Sequence, residues 1–91
     1  MNMDIFTFME AMYQELKAAE KKHPVFPTNI VKATAILSEE SGEAVQEANR
    51  IDDDKNGSIE KWKTEVLQTA AMCFRILKNF DQITAEVNRA N

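Results

Sequence analysis

Ala70-Ala71-Met72-Cys73-Phe74-Arg75-Ile76-Leu77 is apolar throughout except for Arg75. No stretch of the chain alternates polar and apolar residues over a full strand length, so the run reads as the middle of a helix. A helix that is apolar all round needs neighbours on several sides. A 91-residue chain can hardly surround it. The expectation is burial at a subunit interface, most simply in a symmetric dimer.

Working outward, this third helix starts at Ser58, a good N-cap, and runs to about Phe80. Lys61, four residues before Glu65, can pair along it. Asp81 is a candidate cap for a short last helix, Gln82 to Arg89. On the other side, Asp52-Asp53-Asp54-Lys55-Asn56-Gly57 is a polar turn. The second helix ends before it, at about Arg50, and starts after Pro27 with Thr28 or Asn29 as its cap. Pro24 closes the first helix, which begins at about Asp4 and ends near Lys22. In it Ile5, Phe8, Met9, Met12, Leu16 and Ala19 form one apolar stripe. With two Gly and two Pro, long helices are unobstructed. The chain reads as an all-α helical bundle, three long helices plus a short C-terminal one. It forms one domain over residues 1–91, completed by dimerisation into a dimer or a dimer of dimers.

Composition narrows the function classes. The net charge of -4 argues against nucleic acid as a partner, because phosphate contacts need clustered Lys and Arg. A 44% hydrophobic fraction is too high for a disordered segment. One cysteine, Cys73, rules out an internal disulfide or a Cys-rich zinc site and fits a reducing compartment. No segment has the roughly 18 uninterrupted apolar residues of a membrane span. The start, Met1-Asn2-Met3-Asp4, lacks basic residues, and Glu10 interrupts any apolar leader. The expectation is a soluble, cytoplasmic protein with no membrane partner.

The second helix carries Glu39-Glu40-Ser41-Gly42-Glu43. Glu40 and Glu43 lie within about 60° of each other on a helix, with Ile36 and Glu47 on the same line. Ala33, Leu37, Ala44 and Ala48 form the adjacent apolar stripe, so these acids border the core. Glu65 shares a stripe with Thr69, Met72 and Ile76 on the third helix. An acid there is expensive to bury unless something neutralises it. Glu39, Glu40 and Glu43 have no Lys or Arg three or four residues downstream, so a solvated, ion-paired face fits poorly. A divalent cation fits better, and oxygen ligands suit Mg²⁺ or Mn²⁺.

Glu39-Glu40-Ser41-Gly42-Glu43, followed at a distance by Glu65-Val66-Leu67-Gln68, resembles the EExxE…ExxD signature of MazG-like all-α nucleotide pyrophosphohydrolases. Ile36-Leu37 ahead of the double Glu, and Ala44 and Ala48 after it, fit the same pattern, which covers about Asn29 to Leu77. The resemblance implies that Glu40, Glu43 and Glu65 bind Mg²⁺, with Glu39 as a further ligand or water-positioning base. It implies hydrolysis of a nucleoside triphosphate to a monophosphate and pyrophosphate. Gln68 stands where the family has its last Asp. Its amide oxygen can bind a hard cation without charge, or its NH₂ can touch a base or phosphate. Phage-type members share Glu-x-x-Gln followed by an Ala-Ala run, as in Gln68-Thr69-Ala70-Ala71. The other reading of Gln68 is a helical interaction or nucleotide-binding module that has lost catalysis.

The turn Asp52 to Gly57 also matches the first half of an EF-hand calcium loop, D-x-[DN]-x-[DN]-G. Lys63 occupies the position of the closing bidentate Glu, and there is no second loop. The competing reading is a solvated turn with Gly57 at positive φ. Among single residues, Arg75 lies nearly above Gln68 on one face. It needs an anion: a carboxylate of a partner helix or a substrate phosphate. Phe26, between Pro24 and Pro27, is a candidate for base stacking or for the core, and Lys32 and Lys61 could reach a triphosphate. His23 suits a helix C-terminus.

Overall fold

A computed structural model describes residues 4–90, the side chain of Ala90 excepted. Its elements are α1 (Ile5–Lys22), α2 (Ile30–Asp52), α3 (Ile59–Lys78) and α4 (Phe80–Ala90), with no strand among the described residues. The expected all-α bundle is thus the observed fold. Asp4 caps α1 by accepting from the Phe6 and Thr7 amides, Asn29 caps α2 through Lys32, and Ser58 caps α3 through Lys61. Of the two candidates, Asn29 caps α2. Two boundaries differ from the sequence reading. α2 runs on to Asp52. The break before α4 falls at Asn79, whose amide and side chain both return to the Arg75 carbonyl, so Asp81 lies inside α4 rather than capping it. An Asn that satisfies the last carbonyls of one helix and offers its own carbonyl to Ile83 of the next is a strong stop.

Cross-helix contacts give the register. Glu47 meets Ser58 and Lys61, while Glu43 meets Glu65, so α2 and α3 are antiparallel. Glu15 meets Gln68, Ala19 meets Arg75 and Glu20 meets Lys78, so α1 runs parallel to α3. α4 folds back onto the start of α2, where Ile30, Ala33, Ile76 and Ile83 line a common apolar cavity. The buried apolar core is thin: Met12, Leu16, Phe26, Ala33, Ala71, Met72 and Ile83. The chain is elongated, with a radius of gyration of 15.1 Å, where about 12 Å is usual for this length. Within a single chain, α3 buries Ala71, Met72 and Arg75, while Cys73, Phe74 and Leu77 stay exposed. Among the described residues, no helix is long and apolar enough to cross a membrane.

The turn after α2 corrects a second expectation. Positive φ falls on Asp54 (56°) and Asn56 (63°), not on Gly57. Both residues tolerate that region because their short polar side chains bond locally. Gly57 serves a different need. A Cβ there would lie 2.5 Å from the Ile51 amide nitrogen and 2.8 Å from the Arg50 carbonyl carbon, so the returning chain packs against the end of α2. Gly42, in the middle of α2, has open space where its Cβ would be. Gly57→Ala should therefore destabilise the chain by about 1–3 kcal/mol. Gly42→Ala should stabilise it by about 0.5–1 kcal/mol, the helix-propensity difference. Urea titration of the two variants checks the opposite signs.

Candidate metal centre

Antiparallel pairing of α2 with α3 brings the two acidic motifs together. One carboxylate oxygen from each of Glu40, Glu43 and Glu65 lies within 4.8 Å of the others. Helical spacing does this: Glu40 and Glu43 are one turn apart on α2, and the register sets Glu65 of α3 opposite them. Glu40 Oε2 and Glu65 Oε2 are completely buried and accept no hydrogen bond among the described residues. Burial pushes the Glu40 carboxyl above its ordinary range, and the charges of Glu43, Glu39 and Glu15 add to this. Glu65 is raised as well, by burial first and then by Glu43 beside it and Glu40; Lys61 acts weakly the other way. Two acids facing a third, with buried orphan oxygens, are what a hard divalent cation relieves. The donor set therefore fits Mg²⁺ or Mn²⁺.

Two cavities open from this cluster, each of about 350 Å³. The more polar one is bounded by Glu15, Lys22, His23, Glu40, Glu43 and Gln68. Gln68 Nε2 donates to Glu15 Oε2 at 3.3 Å. The second cavity shares Ala19, His23, Glu40 and Met72 with the first, and adds Phe26, Ile36, Glu39 and Arg75. Glu39 thus faces this second cavity. Lys32 stands exposed on the first turn of α2 and belongs to neither wall.

Arg75 has carbonyl partners within its own chain. It is 4% exposed, and its Nη1 donates to the Ala19 carbonyl at 3.3 Å and its Nη2 to the His23 carbonyl. Its guanidinium stacks over the Phe26 ring at 5.0 Å. The carbonyls belong to the last turn of α1, which carries partial negative charge. Phe26 is a core residue with one face under Arg75.

Glu47 follows the line of Glu40 and Glu43 but points elsewhere. It is 2% exposed, and it accepts from the Ser58 amide at 2.7 Å and from Arg50 at 3.0 Å, with Lys61 Nζ at 3.7 Å. Lys61 therefore pairs with Glu47, not with Glu65 as its spacing suggested. The Ser58 amide, with Arg50 and Lys61, holds the Glu47 carboxyl below its ordinary range. Glu47 ties α2 to the N-terminus of α3 and so fixes the register that builds the cluster.

The residue missed from the sequence is Glu15. It sits between Met12 and Ala19 at three- and four-residue steps, an acid inside the apolar stripe of α1, which was the available signal. The loop carboxylates of Asp52, Asp53 and Asp54 do not converge. Among the described residues, the acids gathered to metal-ion spacing are Glu40, Glu43 and Glu65. No family model, no curated protein and no solved structure matches the chain.

Proposed function

We propose that this chain is a Mg²⁺-dependent nucleoside triphosphate pyrophosphohydrolase of the MazG-like all-α type, also served by Mn²⁺, that releases a nucleoside monophosphate and pyrophosphate. The observation that carries the reading is the trio Glu40, Glu43 and Glu65, with two buried oxygens that accept nothing from the protein. Glu40, Glu43, Glu65 and the amide oxygen of Gln68 would hold the cation. Bound there, it would neutralise phosphate charge and make a water a better nucleophile at neutral pH.

The chain's own groups supply the remainder. The polar cavity beside Glu40 and Glu43 receives the phosphates, and Lys22 stands on its wall as a countercharge. The adjoining cavity, walled by Phe26, Ile36 and Met72, receives the nucleoside; its size is that of a small-molecule pocket. Glu39, on that second wall, is placed to take the proton of the attacking water. Water adds to phosphorus, the bridge between the α- and β-phosphates breaks, and pyrophosphate departs.

The reading includes a homodimer or dimer of dimers. Its support is the exposed apolar surface along α2 and α3, where Val45, Trp62, Val66 and Cys73 border a groove of about 410 Å³, with Phe74 and Leu77 exposed farther along α3. The free Cys73 suits the reducing cytoplasm, where we place the protein. A second reading rests on Gln68: with the fourth acid replaced by an amide, the chain would bind nucleotide without turning it over.

Product analysis separates the two. The full chain would be incubated with canonical and modified NTPs and dNTPs, with Mg²⁺, with Mn²⁺ and with chelator. Metal-dependent monophosphate and pyrophosphate are expected from at least one substrate. Silence across the panel, from folded protein whose melting temperature rises with nucleotide and metal, would favour the binding module.

A further inference from the structure

Gln68 is neutral where the acidic motif would carry another charge, and its side chain is not free to turn. A carboxylate only accepts hydrogen bonds, so the contact between Gln68 Nε2 and Glu15 Oε2 assigns the amide's orientation. The NH₂ faces Glu15, and Oε1, the other branch of the planar amide, is left unengaged by Glu15. Gln68 is one helical turn beyond Glu65 on α3 and lines the same cavity as Glu40 and Glu43. Glu15 reaches this point from a different helix, 53 residues away in the chain. It is half-buried on the wall of that cavity, and its charge is felt at Glu40.

We propose that Glu15 is a positioning residue of the cation site, holding the Gln68 amide so that its oxygen rather than its NH₂ is presented to the cation. The inference rests on the cation reading above and extends it to α1. An amide needs such a partner because its two ends differ: turned over, it would aim two N–H donors at a cation. A carboxylate at the same place would need none, since both its oxygens are ligands. Partners of this kind orient ligands in metal sites generally, and their loss costs about 10–100-fold in affinity.

The test is Mn²⁺ titration of the full chain, followed by the electron paramagnetic resonance of free Mn²⁺. Five proteins are compared: the wild type, Glu15→Ala, Gln68→Glu, the double variant of these two, and Glu40→Gln. Glu15→Ala should weaken Mn²⁺ binding at least about tenfold. In the Gln68→Glu background the same change should cost nothing, or strengthen binding by removing a repelling neighbour. That dependence on background is what a merely structural role would not produce. Unchanged affinity in Glu15→Ala overturns the proposal, as does an equal loss in both backgrounds, which would make Glu15 a direct ligand or a through-space charge. A wild type that binds no Mn²⁺ overturns the cation reading together with this one. A wild type that binds, with loss in Glu40→Gln but not in Glu15→Ala, overturns this one alone.

Discussion

Glu65→Gln is expected to lower metal-dependent pyrophosphate release at least about 100-fold, and its metal-free form is expected to melt about 2–5 °C above the wild type. Glu40→Gln should behave alike. The two effects have one cause. Without a cation, Glu65 and Glu40 are acids raised by burial and by their acidic neighbours, so the amide removes a repulsion that the fold otherwise carries. With a cation, the same substitution removes a charged ligand. A residue needed only for folding would lower both activity and melting temperature. Calorimetry with chelator, beside the turnover assay, reads both signs.

The pH dependence follows. Glu40 and Glu65 have folded-state values above their unfolded ones, so the folded protein holds their protons more tightly. Their contribution to stability is full below the ordinary Glu range and is lost as pH rises through the raised values. Glu47 and Glu20 are held low, so their contribution is present above the ordinary range and is lost as pH falls through the lowered values. Metal-free protein should therefore gain stability on mild acidification from neutral pH, then lose it at lower pH. Cation affinity should fall over the first interval, because the ligands must be deprotonated to bind.

Arg75→Ala is expected to be the most destabilising single change, by about 3–5 kcal/mol. It leaves the Ala19 and His23 carbonyls without their donor, exposes one face of Phe26 and opens a gap between α1 and α3. Arg75→Lys retains the charge but not the fork that spans two carbonyls, and should fall between the two. If Arg75 acted chiefly on a substrate phosphate, Arg75→Lys would raise KM with the melting temperature unchanged. The structure's carbonyl partners predict the reverse order of effects, read by urea titration and by KM.

The bundle was legible because its signals are local. Ser58 and Asn29 are caps, Pro24 and Pro27 separate two helices, and the stripe of α1 needs only a period of 3.6 residues. The pairing of Glu40 and Glu43 was legible for the same reason, since one turn of helix makes them neighbours. Tertiary partners were not. Helical spacing offers Lys61 to Glu65, and the antiparallel register gives it to Glu47 instead. It asks an anion for Arg75, whereas a helix end supplies carbonyls, which no residue type announces. Glu15 shows in the sequence only as an acid inside the α1 stripe, because its partner Gln68 is met only where α1 lies parallel to α3. Gly57 was read through its most familiar use, while the structure uses its lack of a side chain.

The central claim is that Glu40, Glu43 and Glu65 hold a divalent cation. Crystals of the full chain grown in millimolar Mn²⁺ and measured at the manganese absorption edge test it directly. An anomalous peak is expected among the three carboxylates, about 2.1–2.3 Å from its oxygen ligands, with Glu40 Oε2 and Glu65 Oε2 among them. Saturating Mn²⁺ with no peak there, and Glu65 paired with Glu43 through a shared proton, would contradict the account.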